Sequence, residues 1–193
     1  MRRAISLDTP QKPPDSPRAG RIRRCELLGS TPLKLIFCLW LAASAAPGAF
    51  AASSLLHQAA PEFARTDLAN RKLDLVDYRG KVVLLDFWAT WCAPCLVEMP
   101  RFVAWQRQFG PRGFEVIGIS MDDDPAAALK VYKRQKLDYP VAMCDAKLGE
   151  LYGGVQGLPL TFLIDRKGTI QARFQGETDM NLIEKRIRQL LAP

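Results

Sequence analysis

Cys92 and Cys95 are the residues whose type and spacing can do chemistry: two thiols at i and i+3, following the apolar run Val82-Val83-Leu84-Leu85-Asp86-Phe87-Trp88. Around a helix start, that spacing lets the pair close into a disulfide with little backbone movement. A helix beginning near Ala93 places Cys92 at its N-terminal end, where unpaired amide N–H groups and the helix dipole favour a thiolate over a thiol. The terminus supplies on the order of 1 kcal/mol, under one pKa unit, so any larger shift must come from neighbouring hydrogen bonds. Cys92, the outer thiol, is therefore expected to be the attacking nucleophile. Cys95, one turn inside the helix, is expected to be the resolving thiol that breaks a mixed disulfide.

Two acids accompany the pair. Asp86 interrupts an otherwise apolar strand, and a carboxyl covered on both sides has its pKa raised toward neutrality, which suits it to accept the Cys95 proton during resolution. Glu98 follows Cys95 by three residues, shares a helix face with it and is the rival base. Plainer readings stand beside these: an Asp satisfied by local hydrogen bonds, and a Glu facing solvent. The same cysteines could be half of a zinc site, but zinc as a rule needs four ligands. Beyond residue 51 the chain adds only Cys144 and one imidazole, His57. No metal and no cofactor is expected. Cys144 itself reads as a small buried residue at a strand end, or as a regulatory partner thiol.

The elements that must position these residues follow from pattern. Val82 to Trp88 is rich in β-branched and aromatic types and is preceded by Arg79-Gly80-Lys81, which predicts a strand buried on both faces. A hairpin is expected before it, with arms 63–66 and 72–75 and a turn at Asp67 to Asn70. After it come a helix from Ala93 to Phe109, closed by Gly110-Pro111, and a second buried strand from Phe114 to Ser120. The apolar positions of that helix are read as Leu96, Met99, Val103 and Gln106. Asp122-Asp123-Asp124-Pro125 signals a helix start, with an acid as N-cap and Pro at the first helical position, running to about Gln135. A short strand at 141–144, a helix at 146–152, a hairpin of strands 161–165 and 169–175, and an amphipathic helix at 179–191 complete the chain. The order βαβαβαββα predicts an α/β fold, a mixed central sheet with helices on both faces.

Residues 1–51 read as a leader. Residues 1–34 carry eight Lys/Arg, three acids and Pro10, Pro13, Pro14 and Pro17, with no apolar periodicity. Leu35 to Ala46 is almost wholly apolar, and Ala49-Phe50-Ala51 has the small-x-small form of a cleavage site. A basic n-region (1–34), an h-region (35–46) and cleavage near 51/52 describe a secretory signal, hence a periplasmic or otherwise extracytoplasmic protein. The alternative is an uncleaved anchor facing the periplasm, the membrane then being touched only through the leader, although Leu35 to Phe50 is short for a spanning helix. Residues 52–60 are expected to be a flexible start and 61–193 the folded domain. Past residue 51 the chain keeps 19 basic and 17 acidic side chains, so the basic pI belongs mainly to the leader, and no nucleic-acid partner is indicated. Cys25 and Cys38 fall in the leader; three cysteines remain, which is no disulfide framework.

Phe87-Trp88-Ala89-Thr90-Trp91-Cys92-Ala93-Pro94-Cys95, then Glu98-Met99-Pro100, then Gly157-Leu158-Pro159-Leu160-Thr161-Phe162 together resemble the thioredoxin superfamily, in its TlpA/ResA-like secreted branch. The resemblance covers about residue 60 to the C-terminus. It implies a thioredoxin fold with an extra helix and strand inserted near 125–144. It makes Pro159, whose bond the residues alone leave cis or trans, a cis-proline beside the disulfide. It leaves the Leu158 backbone to pair with a client strand, so that Trp91, Leu158 and Pro159 form the client-binding surface. It matches Asp86 to the buried acid of thioredoxins and Glu98 to the acid of ResA-like proteins, a mixed pattern. Leu160 stands where this branch often has Thr.

The function expected is a thiol-disulfide oxidoreductase that reduces client proteins. The resemblance suggests cytochrome c maturation proteins as clients and a membrane thiol-disulfide protein as electron donor. Reduction rather than oxidation rests on Ala93-Pro94, because a strong oxidant stabilises its thiolate, often with a histidine between the cysteines. Thioredoxin and DsbA lie about 150 mV apart, roughly 7 kcal/mol. A metal or haem-delivery protein using the cysteines as ligands is the alternative. Peroxide reduction would need a Pro-x-x-x-Thr-x-x-Cys arrangement, and residues 85 and 89 are Leu and Ala.

Overall fold

A computed structural model describes residues 55–193; the expected leader, with Cys25, Cys38 and the cleavage site, lies outside them. The elements are β1 (Ala64–Thr66), β2 (Lys72–Asp74), β3 (Val82–Trp88), α1 (Ala93–Phe109), β4 (Phe114–Ser120), α2 (Pro125–Arg134), β5 (Val141–Met143), α3 (Ala146–Leu151), β6 (Leu160–Ile164), β7 (Ile170–Gln175) and α4 (Met180–Leu190). Strand β3 is the axis of a mixed sheet ordered β5-β4-β3-β6-β7, parallel to β4 and antiparallel to β6. Its register sets Asp86 between Gly118 on one neighbour and Thr161 on the other.

All of β3 is buried, and its alternation divides the core. Val82, Leu84 and Trp88 pack with Met99 and Phe102 of α1, Ala128 and Val131 of α2, and Ile183 and Ile187 of α4. Val83, Leu85 and Phe87 face the other way, against Phe63, Leu73, Leu148 and Tyr152, which the hairpin and α3 supply. Each such large side chain contributes about 1.5–3 kcal/mol on burial, so both helix layers are held by the same strand. Gly118 makes room for the largest of them. A Cβ there would stand 3.1 Å from both Trp88 Nε1 and Val141 Cγ2.

The segment before β3 covers both sheet edges, which removes free strand edges. The N–H groups of His57 and Ala60 donate to Ile170 and Gly168 at 2.8 and 2.9 Å, and Ile170 N–H donates to Gln58. The described part of the expected flexible start is thus laid along β7, because that strand's outer hydrogen-bonding groups need partners. At the far edge, Leu68 N–H donates to Val141 O at 2.7 Å and Asp67 bridges Ala142. Asp67 builds its own turn by accepting from the N–H groups of Ala69 and Arg71.

Each of the four α-helices described opens on a side-chain cap. Asp124, Asp145 and Asp179 accept from Ala126, Leu148 and Asn181 N–H at 2.9, 2.8 and 2.9 Å, a contact usually worth about 1 kcal/mol. For α1 the cap is Cys92. Of the expected stripe, Met99 and Val103 are buried and Leu96 packs against the same core, whereas Gln106 does not join it; Cys95, Glu98, Phe102, Trp105 and Phe109 complete the buried face of α1. The aromatic residues win the core because they bury the larger apolar surface. Gln106 instead bridges to β4, its Oε1 accepting from Val116 N–H at 2.7 Å and its Nε2 donating to Glu115 at 3.2 Å. Among the described residues no helix is long and apolar enough to cross a membrane.

Candidate active site

Strand β3 ends at Trp88, and after four intervening residues the chain enters α1, so the strand delivers the cysteines directly to a helix start. Cys92 and Cys95 form a disulfide with their Cα atoms 5.3 Å apart. Cys92 is the N-cap: its Sγ accepts from Cys95 N–H at 3.3 Å. A thiolate at that sulfur would meet the same donor, which, with the helix terminus, favours charge on Cys92. The first turn of α1 contains no acid to oppose it. Cys92 keeps 5% of its surface exposed and Cys95 only 1%, so Cys92 is the more accessible of the two.

Behind the pair lie the two acids. Asp86 is on the same side of β3 as Leu84 and Trp88, the side whose core holds both cysteines. Burial pushes its carboxyl up to about 8, the charge of Glu98 adds to this, and a hydrogen bond from Thr161 Oγ1 at 3.1 Å opposes it. Glu98 is 8% exposed, and burial, followed by the charge of Glu177, raises it to about 7. The charge of Glu98, when it ionises, favours the protonated form of Asp86. Sequence reasoning missed Thr161 and Glu177. A hydroxyl in an apolar strand was the available signal for Thr161, but its register opposite Asp86 comes only with the sheet pairing. Glu177 is remote in sequence and carries no local signal.

The third wall comes from the loop before β6. The Leu158–Pro159 bond is cis, Pro159 is buried, and Leu158 packs against the core that includes the cysteines. Pro159 O accepts from Gly176 N–H at 2.8 Å, whereas among the described residues Leu158 forms no backbone hydrogen bond. Trp91 and Val97 stand out from the surface at 72% and 78% exposure, one on each side of Cys92 in sequence. Cys92, Cys95, Asp86, Glu98, Trp91, Leu158 and Pro159 therefore gather around one end of β3. Cys144 does not join them. It packs toward the opposite core, its Sγ donates to Asp145 O at 3.3 Å, and burial pushes its thiol up. His57 is equally remote, on the segment along β7.

The chain is similar to known thiol-disulfide oxidoreductases. The model of the AhpC/TSA family matches residues 56–173. The thiol-disulfide oxidoreductase ResA of Bacillus thuringiensis is 36% identical over 133 residues, 68% of this chain and 76% of that protein. ResA of Bacillus subtilis is 32% identical over 112 residues, 58% of this chain and 62% of its own length. Among solved structures, a protein from Chlorobium tepidum described as a DsbE-type thiol:disulfide interchange protein superposes with a TM-score of 0.65 at 32% identity. That alignment covers 69% of this chain and 96% of the other.

Proposed function

The chain belongs to the AhpC/TSA family as a ResA-like thiol-disulfide oxidoreductase of thioredoxin fold, and we propose that it reduces the disulfides of client proteins outside the cytoplasm. The observation that carries this is the seat of Cys92 Sγ on the Cys95 amide at the start of α1, with two proton-holding carboxyls behind it.

The reaction follows from that arrangement. In the reduced protein the Cys92 thiolate attacks one sulfur of a client disulfide, forming a mixed disulfide and releasing one client thiolate. Cys95 then gives its proton to a carboxylate and attacks Cys92 Sγ. The second client sulfur leaves, takes up a proton, and the Cys92–Cys95 disulfide remains. Burial raises both carboxyls toward neutrality, Glu98 to about 7 and Asp86 to about 8, which suits either to take the Cys95 proton during resolution. Two electrons and two protons from a membrane thiol-disulfide donor regenerate the dithiol.

Client binding uses the unpaired Leu158 backbone for strand addition and exposed Trp91 for apolar contact, with Pro159 as the wall between them and the disulfide. The leader, residues 1–51 with cleavage near 51/52, supports a periplasmic site of action and 61–193 as the working domain. Cytochrome c maturation proteins are the proposed clients, on the likeness to the ResA-like branch. Peroxide reduction is disfavoured because Leu85 and Ala89, both fully buried, replace the Pro and Thr that a peroxidatic cysteine needs. The reducing direction is tested by the reduction potential of the Cys92–Cys95 couple. A value near the about −270 mV of thioredoxin supports it, and one near the about −120 mV of DsbA refutes it.

A further inference from the structure

The acidic run before α2 does more than start a helix. Asp124 is the N-cap of α2, whereas Asp122 turns back toward Thr90. Its carboxylate, only 9% exposed, accepts from Thr90 N–H at 3.1 and 3.0 Å, from Thr90 Oγ1 at 2.6 Å and from Ser120 Oγ at 2.8 Å. Asp122 N–H donates in turn to Ser120 Oγ at 3.2 Å. Thr90 lies two residues before Cys92, in a turn closed by Cys92 N–H donating to Ala89 O at 3.1 Å. Next to it, Met121 N–H donates to Trp88 O at 2.8 Å, tying the end of β3 to the residue before Asp122.

We propose that Asp122 is a positioning residue for the dithiol: through Thr90 it holds the turn that seats Cys92 Sγ on the Cys95 amide, and its charge disfavours a Cys92 thiolate. The partners of this carboxylate are neutral donors, so its negative field is not cancelled by a cation and acts on the nearest new charge, the Cys92 thiolate. A less stable thiolate means a less stable reduced form and hence a more reducing couple. Asp122 thus sets geometry and poise together, and it does so without touching the reacting sulfurs. The proposal rests on Cys92 being the attacking thiol.

The test measures the alkylation rate of each thiol against pH in the reduced protein, and the equilibrium with glutathione. Asp122→Asn keeps the shape and the acceptor but removes the charge. It should lower the pH at which Cys92 becomes reactive and shift the glutathione equilibrium about threefold toward the dithiol, about 14 mV at the two-electron conversion. Thr90→Val keeps the charge but loses the shortest bond. It should slow Cys92 alkylation at every pH by threefold or more without that shift, and Thr90→Ser should restore the rate. An unchanged pH profile and equilibrium in Asp122→Asn together with an unchanged rate in Thr90→Val overturns the proposal, as does a shift toward the disulfide in Asp122→Asn. If Cys95 is the thiol that alkylates fast, the assignment of Cys92 fails instead, and the proposal with it.

Discussion

Thr161 donates its hydroxyl to Asp86 Oδ1 at 3.1 Å from the position directly opposite on the neighbouring strand. This bond favours the ionised carboxyl, yet burial and the charge of Glu98 outweigh it and leave Asp86 at about 8. The unfolded chain releases that proton near pH 4. Between those values the folded protein holds the proton and the unfolded chain does not, so the stability associated with protonated Asp86 is full below about pH 4 and is lost as pH rises through about 8. Asp86→Asn removes this loss. Its melting temperature should exceed that of the wild type by several degrees at pH 7, with the gap closing as pH approaches 4. A gap independent of pH in paired melting curves would exclude the linkage.

The two carboxyls should separate in the kinetics of resolution. Each of Asp86→Asn and Glu98→Gln should slow the attack of Cys95 on a preformed mixed disulfide by about tenfold, part of the about 100-fold or more that one positioned base can supply. Initial attack by Cys92 should change less. In Glu98→Gln the rise of the resolution rate near pH 7 should vanish, and the remaining rise should sit below 8, because the charge that raises Asp86 is gone. Stopped-flow rates from pH 5 to 9 decide it. Equal slowing of both steps would make the acids structural.

Gly118→Ala should be costly although it adds one methyl. That methyl would stand 3.1 Å from both Trp88 Nε1 and Val141 Cγ2, too close without a shift in a packed core. Overpacking of this kind costs about 1–3 kcal/mol. Because Gly118 is also the register partner of Asp86, displacement of Trp88 should alter the site as well. The expected result is a lower midpoint in denaturant with changed tryptophan fluorescence, and an unchanged midpoint would show that the core yields there.

Much of this was legible in the chain because local and global signals agree where the site is built. Val82–Trp88 and Phe114–Ser120 are strands with the expected bounds, since continuous apolar runs bounded by turn residues suit a sheet covered on both faces. Cys92 and Cys95 were legible from spacing as a pair able to close, and the burial of Asp86 from its place in an otherwise apolar strand. Other features arise only from long-range packing. Phe102, Trp105 and Phe109 take the core of α1 because helices α1 and α4 meet there, which periodicity does not report. Asp122 reads as part of a helix start, and only the closeness of the β3 and β4 ends turns it toward Thr90. The tethering of 57–60 to β7 is likewise invisible from a polar, irregular stretch.

The order of attack by the two cysteines is the centre of the account, and one trapping experiment tests it most directly. Cys95→Ser should leave Cys92 able to attack but without its resolving thiol, so disulfide-linked complexes with client proteins should accumulate in the native compartment and disappear on reduction. Cys92→Ser should trap nothing and be inactive. Mixed disulfides formed through Cys95 in the Cys92→Ser variant, with none in Cys95→Ser, would contradict the assignment.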